Sequence, residues 1–137
     1  MTIYPTKEEI LAKPTIFNKI LIEELNSWKN FAWPKPTFEE LKELLQSFGR
    51  VYKKPVTVFY QKEAKSAYYI PKLRIIVLNN LSLITAFHEF AHHIYGLNEL
   101  TACRWSTWLF AKAFPKAYKK LNWKGHLLCQ IPKPHTP

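Results

Sequence analysis

The chain has 137 residues, of which 47% are apolar and 15% aromatic, so it can bury the core of one domain spanning residues 1–137. This composition excludes disorder throughout the chain, and the three glycines exclude the glycine-rich loops that bind nucleotides. The net charge of +10 is unevenly spread. Residues 1–43 carry six Lys and seven Glu, whereas residues 44–137 carry fourteen Lys or Arg and three Glu, a balance of +11. Such a basic half favours an acidic or polyanionic partner, including non-specifically bound nucleic acid.

Cysteine content and hydropathy indicate the compartment. Cys103 and Cys129 are too few for a disulfide framework and too far apart for a CxxC metal site, so we expect two reduced thiols. The N-terminal residues include Glu and Lys where a secretory signal requires an apolar run. No stretch reaches the roughly 18 apolar residues of a membrane span. We therefore expect a cytoplasmic protein that does not bind a membrane.

Two helices are predicted in the N-terminal part of the chain. Apolar residues recur at three- and four-residue steps over 16–31, and Thr15 is available as a cap. A second helix begins at Thr37, which forms a capping box with Glu40. Gly49 follows the last apolar residue of this helix and predicts its end.

Three short segments rich in β-branched and aromatic residues follow the helices. Gaps of turn length separate them, which favours a small, mostly antiparallel three-stranded sheet. The predicted strands are 56–60, 66–70 and 73–78.

Helical periodicity returns at Ser82 and continues to Gly96, which we expect to end the helix in a left-handed cap. Asn98 is a candidate cap for a further helix that runs to about Phe114. The last residues are basic and then Pro-rich, and we expect them to fray. The predicted parts of this α+β domain are a helical N-terminal part (1–50), a catalytic core (51–115) and a tail (116–137).

The most informative motif is the HExxH segment His88-Glu89-Phe90-Ala91-His92, which lies on the helix predicted from Ser82. Residues four apart lie within about 40° of each other around a helix axis, so both imidazoles can reach one ion. Glu89 lies at the flank of this pair, near a metal-bound water and outside the ligand set. The motif predicts a catalytic zinc site with Glu89 as general base. The alternative is a pair of histidines at the polar edge of a core helix.

A catalytic zinc ion requires a third protein ligand and an open position. Glu99 is the favoured candidate, because acids are scarce in the second half and small residues in the following helix allow the two helices to approach closely. His93 is excluded, since it lies about 100° from its neighbour around the same helix. His126 and His135 remain as alternative third ligands.

The stretch from Tyr68 to Pro115 resembles the ImmA/IrrE-type zinc metallopeptidases, a minimal group of the glutamate-zincins. Their pattern is a strand hairpin, an HExxH helix, a Glu three residues before an Ala, and an apolar helix that ends in Pro. The matching segments here are RIIVLNN, HEFAHH, Glu99 with Ala102, and LFAKAFP.

This resemblance implies a minimal zincin-like fold and a Zn²⁺ cofactor, with Glu89 as the catalytic base. Thr101 and Cys103 depart from the family pattern, which commonly has acidic or amide residues beside its Ala. The zinc ligands that the resemblance implies are His88, His92 and Glu99.

The function implied is hydrolysis of peptide bonds in an intracellular protein substrate. A first alternative is an SprT-type protease that acts on DNA-bound proteins, which would take His126 or His135 as its third ligand. A second is a basic nucleic-acid-binding protein with a vestigial metal site. Metzincins are excluded, because they need a Met-turn and Met1 is the only methionine.

Stabilisation of the transition state requires a hydrogen-bond donor that faces the open metal position. Tyr95 shares the histidine face of its helix, and His126 could reach the site from the tail, so both are candidate catalytic residues. A peptide substrate is expected to lie along the edge strand within residues 66–78, by β-strand addition.

Overall fold

The computed structural model describes residues 5–15, 17–26, 35–124 and 127–132, and for Asn122, Lys124 and 127–132 it describes the backbone alone. Within these ranges, no helix has the length and apolar character needed to cross a lipid bilayer. The elements in chain order are α1 (Lys7–Leu11), α2 (Lys19–Glu24), α3 (Phe38–Val51), β1 (Thr57–Tyr60), β2 (Tyr68–Ile70), β3 (Ile75–Leu78), α4 (Leu83–Tyr95), α5 (Glu99–Ala113), α6 (Pro115–Lys119), β4 (Leu121–Lys124) and β5 (Leu127–Pro132).

The short helix α1 was not predicted from the sequence. It begins in a capping box between Thr6 and Glu9, and its one buried residue is Ile10. Arg104 of α5 donates two hydrogen bonds to the carbonyl oxygen of Glu9, at 3.0 and 2.8 Å. The Trp108 indole donates a third bond, to the carbonyl oxygen of Ile10 at 3.2 Å. Side chains of α5 therefore satisfy carbonyl groups that so short a helix leaves free.

The helix predicted over 16–31 lies only partly within the described residues, since its first residue and its last five are outside them. The described portion, α2, begins after Asn18, whose side chain accepts a hydrogen bond from the backbone N–H of Ile20 at 2.9 Å. Asn18 therefore caps this helix, and the prediction of Thr15 as its cap is wrong.

Helix α3 confirms the predicted capping box. The backbone N–H of Glu40 donates to the Thr37 hydroxyl at 3.2 Å, and the backbone N–H of Thr37 donates to the Glu40 carboxylate at 2.9 Å. Gly49 does not end the helix, which continues to Val51. A Cβ atom at Gly49 would lie 2.9 Å from the carbonyl oxygen of Lys54, so the glycine is needed for the chain to return closely over the helix.

The three-stranded sheet has the order β1-β3-β2 and is mixed. Strands β2 and β3 are antiparallel, with Tyr69 opposite Ile76, as a hairpin requires. Strands β1 and β3 are parallel, with Val58 opposite Ile76, because the chain crosses from β1 to the far edge before it enters the central strand. The predicted small α+β fold is confirmed, with one parallel pairing in a sheet that we expected to be mostly antiparallel.

Helices α3, α4 and α5 meet in an aromatic core. The ring centroids of neighbouring aromatic residues in this core are 5.5 to 6.4 Å apart, and several pairs meet edge to face. This geometry stabilises aromatic pairs beyond the burial of their area. The core therefore fixes α4 against α5, which carry the candidate site. Its aromatic members are Phe48, Phe87, Phe90 and Trp105.

The tail contains a helix and two strands, so the prediction that the last twenty residues (118–137) fray is wrong for the described residues among them. Pro115 occupies the first turn of α6, where a missing N–H costs nothing. Ala117 and Leu121 are buried and join this segment to the core. Strands β4 and β5 then form an antiparallel pair, and β5 lies against α4.

Candidate metal centre

Helix α4 places the two histidines of the HExxH motif on one face. The side chain of Ser82 caps the helix by accepting a hydrogen bond from the backbone N–H of Thr85. The rings of His88 and His92 are 4.8 Å apart between centroids and nearly perpendicular, at 87°. Both side chains are buried.

Gly96 ends α4 and also orients His92. Its backbone has φ 89° and ψ −164°, a region open to glycine and outside the left-handed helical cap that we predicted. Its carbonyl oxygen lies 2.9 Å from Nδ1 of His92. A carbonyl oxygen can only accept, so Nδ1 carries a proton and Nε2 is the nitrogen left to bind an ion. Nε2 is the atom that faces α5.

Glu99 lies in the first turn of α5 and meets both histidines. The side chain of Asn98 caps this helix, as predicted, by accepting a hydrogen bond from the backbone N–H of Thr101 at 2.9 Å. The Oε1 atom of Glu99 is 2.9 Å from Nε2 of His92, and its Oε2 atom is 3.3 Å from Nε2 of His88. The carboxylate thus faces both imidazoles from the opposite helix.

The chemistry and spacing of these donor atoms fit a metal ion. The ligand atoms of His88, His92 and Glu99 all lie within 4.8 Å of one another. Two donors each about 2.0–2.1 Å from a tetrahedral ion are about 3.3 Å apart, close to the separations seen here. The group could therefore hold a metal ion.

Cys103 contacts the Nδ1 side of the His88 ring, and this contact was not predicted from the sequence. Its Sγ atom lies 3.9 Å from Nδ1 of His88, and it is a free, buried thiol one helical turn after Glu99. A proton on Nδ1 directed at this sulfur leaves Nε2 free to face Glu99. The four-residue spacing from Glu99 was the available signal, although we had predicted for Cys103 only a reduced thiol and a departure from the family pattern.

Glu89 is buried beside the histidines, with 7% of its surface exposed. Among the hydrogen bonds of the described residues, none involves its carboxylate. Burial raises the pKa of Glu89, against the opposing charges of His88 and His92, and the nearby Glu99 raises it further. Such a carboxylate is available to accept and return a proton.

The metal-free site contains an ion pair. Burial lowers the pKa of His88, but hydrogen bonds with Cys103 and Glu99 and the charge of Glu89 outweigh it and raise the pKa to about 10. The hydrogen bond with His88 lowers the pKa of Glu99 and outweighs the opposing effect of burial. At neutral pH a protonated His88 therefore faces an ionised Glu99, and a metal ion must displace that proton.

His93 uses both of its ring nitrogens to join α4 to its neighbours. Its Nε2 lies 2.8 Å from the carbonyl oxygen of Lys54 and donates to it, so Nδ1 accepts from the Tyr69 hydroxyl at 2.7 Å. Burial lowers the pKa of His93, which favours the neutral ring that these two bonds require. This role could not be predicted from the sequence, because Lys54 and Tyr69 are both distant from His93 along the chain.

Of the remaining predicted site residues, Tyr95 is the one that lies within the described part of the chain. Tyr95 is 46% exposed, and its ring lies 6.5 Å from that of Trp105, on the side of the aromatic core. His126 and His135 lie outside the described residues. The side chain of Cys129 also lies outside them.

Comparisons of the chain with protein-family models, with curated proteins and with solved structures found no match. The assignment of this site therefore depends on its own geometry and donor chemistry. On those grounds it is a candidate metal centre formed by two buried imidazoles and a partly exposed carboxylate.

Proposed function

We propose that this protein is a zinc-dependent metallopeptidase, similar to the minimal ImmA/IrrE-type glutamate-zincins. The observation that carries the proposal is the position of Glu99, whose two oxygens face Nε2 of His88 and of His92, with the uncommitted carboxylate of Glu89 beside them. A structural zinc site has four protein ligands and no use for such a carboxylate.

Zinc suits this donor set, because two imidazoles and one carboxylate are the ligands of a catalytic site with an open position. His88, His92 and Glu99 would hold the ion. Once bound, zinc supplies an activated water and polarises the carbonyl of the peptide bond.

Glu89 then acts as the proton carrier of the reaction. Its burial raises its pKa, so the carboxylate takes up a proton more readily than an exposed glutamate does. It accepts a proton during attack on the carbonyl and returns it to the leaving amine. His93 and Gly96 act on the other side of the ligand set, where they fix the last turn of α4 and the proton position of His92.

The substrate is proposed to be a peptide segment of an intracellular protein, lying along β2. This strand pairs only with β3 among the described residues, so its other edge can accept main-chain hydrogen bonds. Tyr69 of β2 contacts α4 through His93, one helical turn beyond Glu89, which supports a substrate path along this strand.

Replacement of Glu89 by Gln tests the proposal. Glu89→Gln keeps the size of the side chain and removes its basicity, so we expect a folded, zinc-binding chain that cleaves fluorescently labelled unfolded casein about 10²–10⁴-fold more slowly than the parent. The matched control is Glu63→Gln, at an exposed carboxylate in the loop between β1 and β2, which should cleave at the parental rate.

Two outcomes would contradict the proposal. If elemental analysis finds well under one zinc ion per chain after reconstitution with zinc, the three residues do not form a metal centre. Equal cleavage by the parent and by Glu89→Gln would assign the activity to another site or to a contaminant.

A further inference from the structure

Four cations lie at one end of the three-stranded sheet, which we call the cationic end: Lys53, Lys54, Lys72 and Arg74. Parallel pairing of β1 with β3 brings the entry to β1 beside the turn between β2 and β3. The backbone N–H of Thr57 donates to the carbonyl oxygen of Arg74 at 3.0 Å, which joins the two segments directly. All four cationic side chains are exposed.

The cationic end adjoins the candidate metal centre. The carbonyl oxygen of Lys54 accepts the hydrogen bond from His93. The Nζ atom of Lys54 lies 3.5 Å from the carbonyl oxygen of Ile94, near the end of α4. His93 is four residues after Glu89, so one helical turn of about 5.4 Å separates them along the helix.

These cations lack acidic partners. Among the described residues, no ion pair joins any of the four to a carboxylate. Lys53 follows the end of α3 and Arg74 ends the turn before β3, and both have positive φ values, 58° and 52°. Four exposed cations without an acidic partner among the described residues form a positive surface that is complementary to an anionic partner.

We propose that the cationic end binds carboxylate groups of an acidic peptide that lies along the free edge of β2. This inference rests on the proposed function, because it specifies which substrates the site receives. The chain continues from β2 directly into the turn that carries Lys72 and Arg74. Lys72 is three residues after Tyr69, at most about 10 Å along the chain, so we expect the selected acidic side chain within a few residues of the peptide segment beside Tyr69.

An acidic peptide fits this surface better than a nucleic acid does. The four cations form a compact corner, which matches one or two carboxylates. A single-stranded nucleic acid requires a longer positive groove with aromatic faces on which bases stack. The hydroxyl of Tyr69, an aromatic residue near the cationic end, is already bonded to His93.

Peptide binding to zinc-loaded Glu89→Gln, which we expect not to cleave, tests the inference. The probes are a fluorescein-labelled unstructured decapeptide with three Glu residues and the same peptide with three Gln residues. By fluorescence anisotropy we expect the Glu peptide to bind about tenfold more tightly, which corresponds to about 1.4 kcal/mol. Adding Lys72→Glu and Arg74→Glu should abolish or reverse that preference.

The control variant carries Lys116→Glu and Lys119→Glu on α6. It changes the net charge equally, and both residues are exposed. We expect it to keep the preference within twofold. A third variant with Lys72→Gln and Arg74→Asn should lose the preference as well, and Asn tolerates the positive φ of position 74 if Glu does not.

Three results would overturn the inference. Equal binding of the Glu and Gln peptides would show no carboxylate selection. An equal loss in the α6 control would assign the effect to the overall charge of the chain. Tighter binding of a thymidine decanucleotide, lost with Lys72→Glu and Arg74→Glu, would identify the corner as a nucleic-acid site.

Cleavage by the parent chain separates this inference from the proposed function. A parent that cleaves unfolded casein without preference between the two peptides contradicts the inference alone. If the parent chain cleaves nothing but Glu89→Gln prefers the Glu peptide, the peptidase proposal is contradicted and peptide binding at the cationic end is supported.

Discussion

The two histidines of the centre are prepared for metal binding by different partners. The Gly96 carbonyl oxygen fixes the proton of His92 on Nδ1, and the Cys103 sulfur occupies the equivalent place for His88. Both Nε2 atoms are consequently directed at Glu99. In both rings Nδ1 is therefore occupied by a hydrogen bond and Nε2 faces the place where an ion would bind. This arrangement lowers the reorganisation that binding requires.

Cys103→Ala tests the contribution of the thiol. Without an acceptor at Nδ1, His88 is held less firmly, and we expect zinc affinity to fall about 10- to 100-fold in competition with a chromophoric chelator. Cys103→Asp should retain or increase the parental affinity, because a carboxylate accepts the same hydrogen bond more strongly.

Ser106→Ala is the matched control, since this hydroxyl donates to the Cys103 carbonyl oxygen and does not contact the histidines. Parental zinc affinity in Cys103→Ala would exclude a supporting role for the thiol.

Zinc binding should be coupled to proton release. The pKa of about 10 for His88 means that its imidazole is protonated at neutral pH and must lose that proton to bind an ion. We expect about one proton released per zinc at pH 7, and an affinity that rises about tenfold per pH unit from pH 6 to pH 8. Calorimetry in buffers with different ionisation enthalpies measures the proton count, and a count near zero would contradict the raised pKa.

In the metal-free protein, the ion pair between His88 and Glu99 stabilises the fold less as the pH rises. Because the pKa of His88 is raised, its stabilisation is fully present below the ordinary value of 6.5 and disappears as pH rises through about 10. The lowered pKa of Glu99 adds stabilisation that is present above 4.5 and lost as pH falls through the lowered value. Rising pH therefore favours the metal-bound form over the metal-free ion pair.

The common position of His88, Glu89 and His92 on one helix could be predicted from the sequence, because helical spacing alone brings them together. Glu99 also follows from sequence, through the scarcity of acids and the small residues after it. Cys103 and His93 were missed as supporting residues. The partners of His93 come from β2 and from the segment after α3, which only the tertiary fold brings to α4.

At the scale of elements, two N-terminal cap signals proved reliable, whereas the signals for helix ends and the strand pairing did not. The Thr37 capping box and the Asn98 cap form as predicted, because each involves residues only three apart. The parallel partner of β1 was not predicted, since its pairing depends on a crossover that no local pattern encodes. Gly49 was assigned to a helix end, although its role is to admit the returning backbone of Lys54.

Gly49→Ala tests this role. In an ordinary helix interior the change stabilises by about 0.5–1 kcal/mol. Here the new Cβ would meet the Lys54 carbonyl oxygen at 2.9 Å, so we expect a net loss of roughly 1–3 kcal/mol in the free energy of unfolding by urea titration.

Glu43→Ala on the exposed face of the same helix is the control, and we expect it to change stability by less than about 0.5 kcal/mol. An increase in stability for Gly49→Ala would show that the backbone at Lys54 can move away from the new Cβ at little cost. Because that carbonyl oxygen also accepts from His93, Gly49→Ala should loosen the last turn of α4 as well.

For the whole molecule, the error in the tail has a physical origin. A Pro-rich, basic sequence indicates fraying, yet Ala117 and Leu121 are buried and β5 returns to α4. Burial of a few apolar side chains outweighs the local composition. Helix α4, which carries the two histidines of the candidate metal centre, is consequently packed against the sheet, against α5 and against this returning segment.

Metal removal should lower the stability of the whole chain. Free zinc at about a thousand times its dissociation constant adds about 4 kcal/mol to the native state. For a chain of this size we expect the melting temperature to fall by about 10 °C when a chelator removes the ion. Scanning calorimetry should show this difference for Glu63→Gln and not for Glu99→Gln, and a shift that persists in Glu99→Gln would place zinc elsewhere.

The short turn between α4 and α5 has a consequence for the order of assembly. All three metal-facing side chains come from twelve consecutive residues, 88–99, so an ion there closes only a small ring of backbone. The entropy lost in closing such a ring is about 2 kcal/mol, far from prohibitive for a pair of adjoining helices. During synthesis these residues leave the ribosome before 116–137 do, so ion capture can precede completion of the chain.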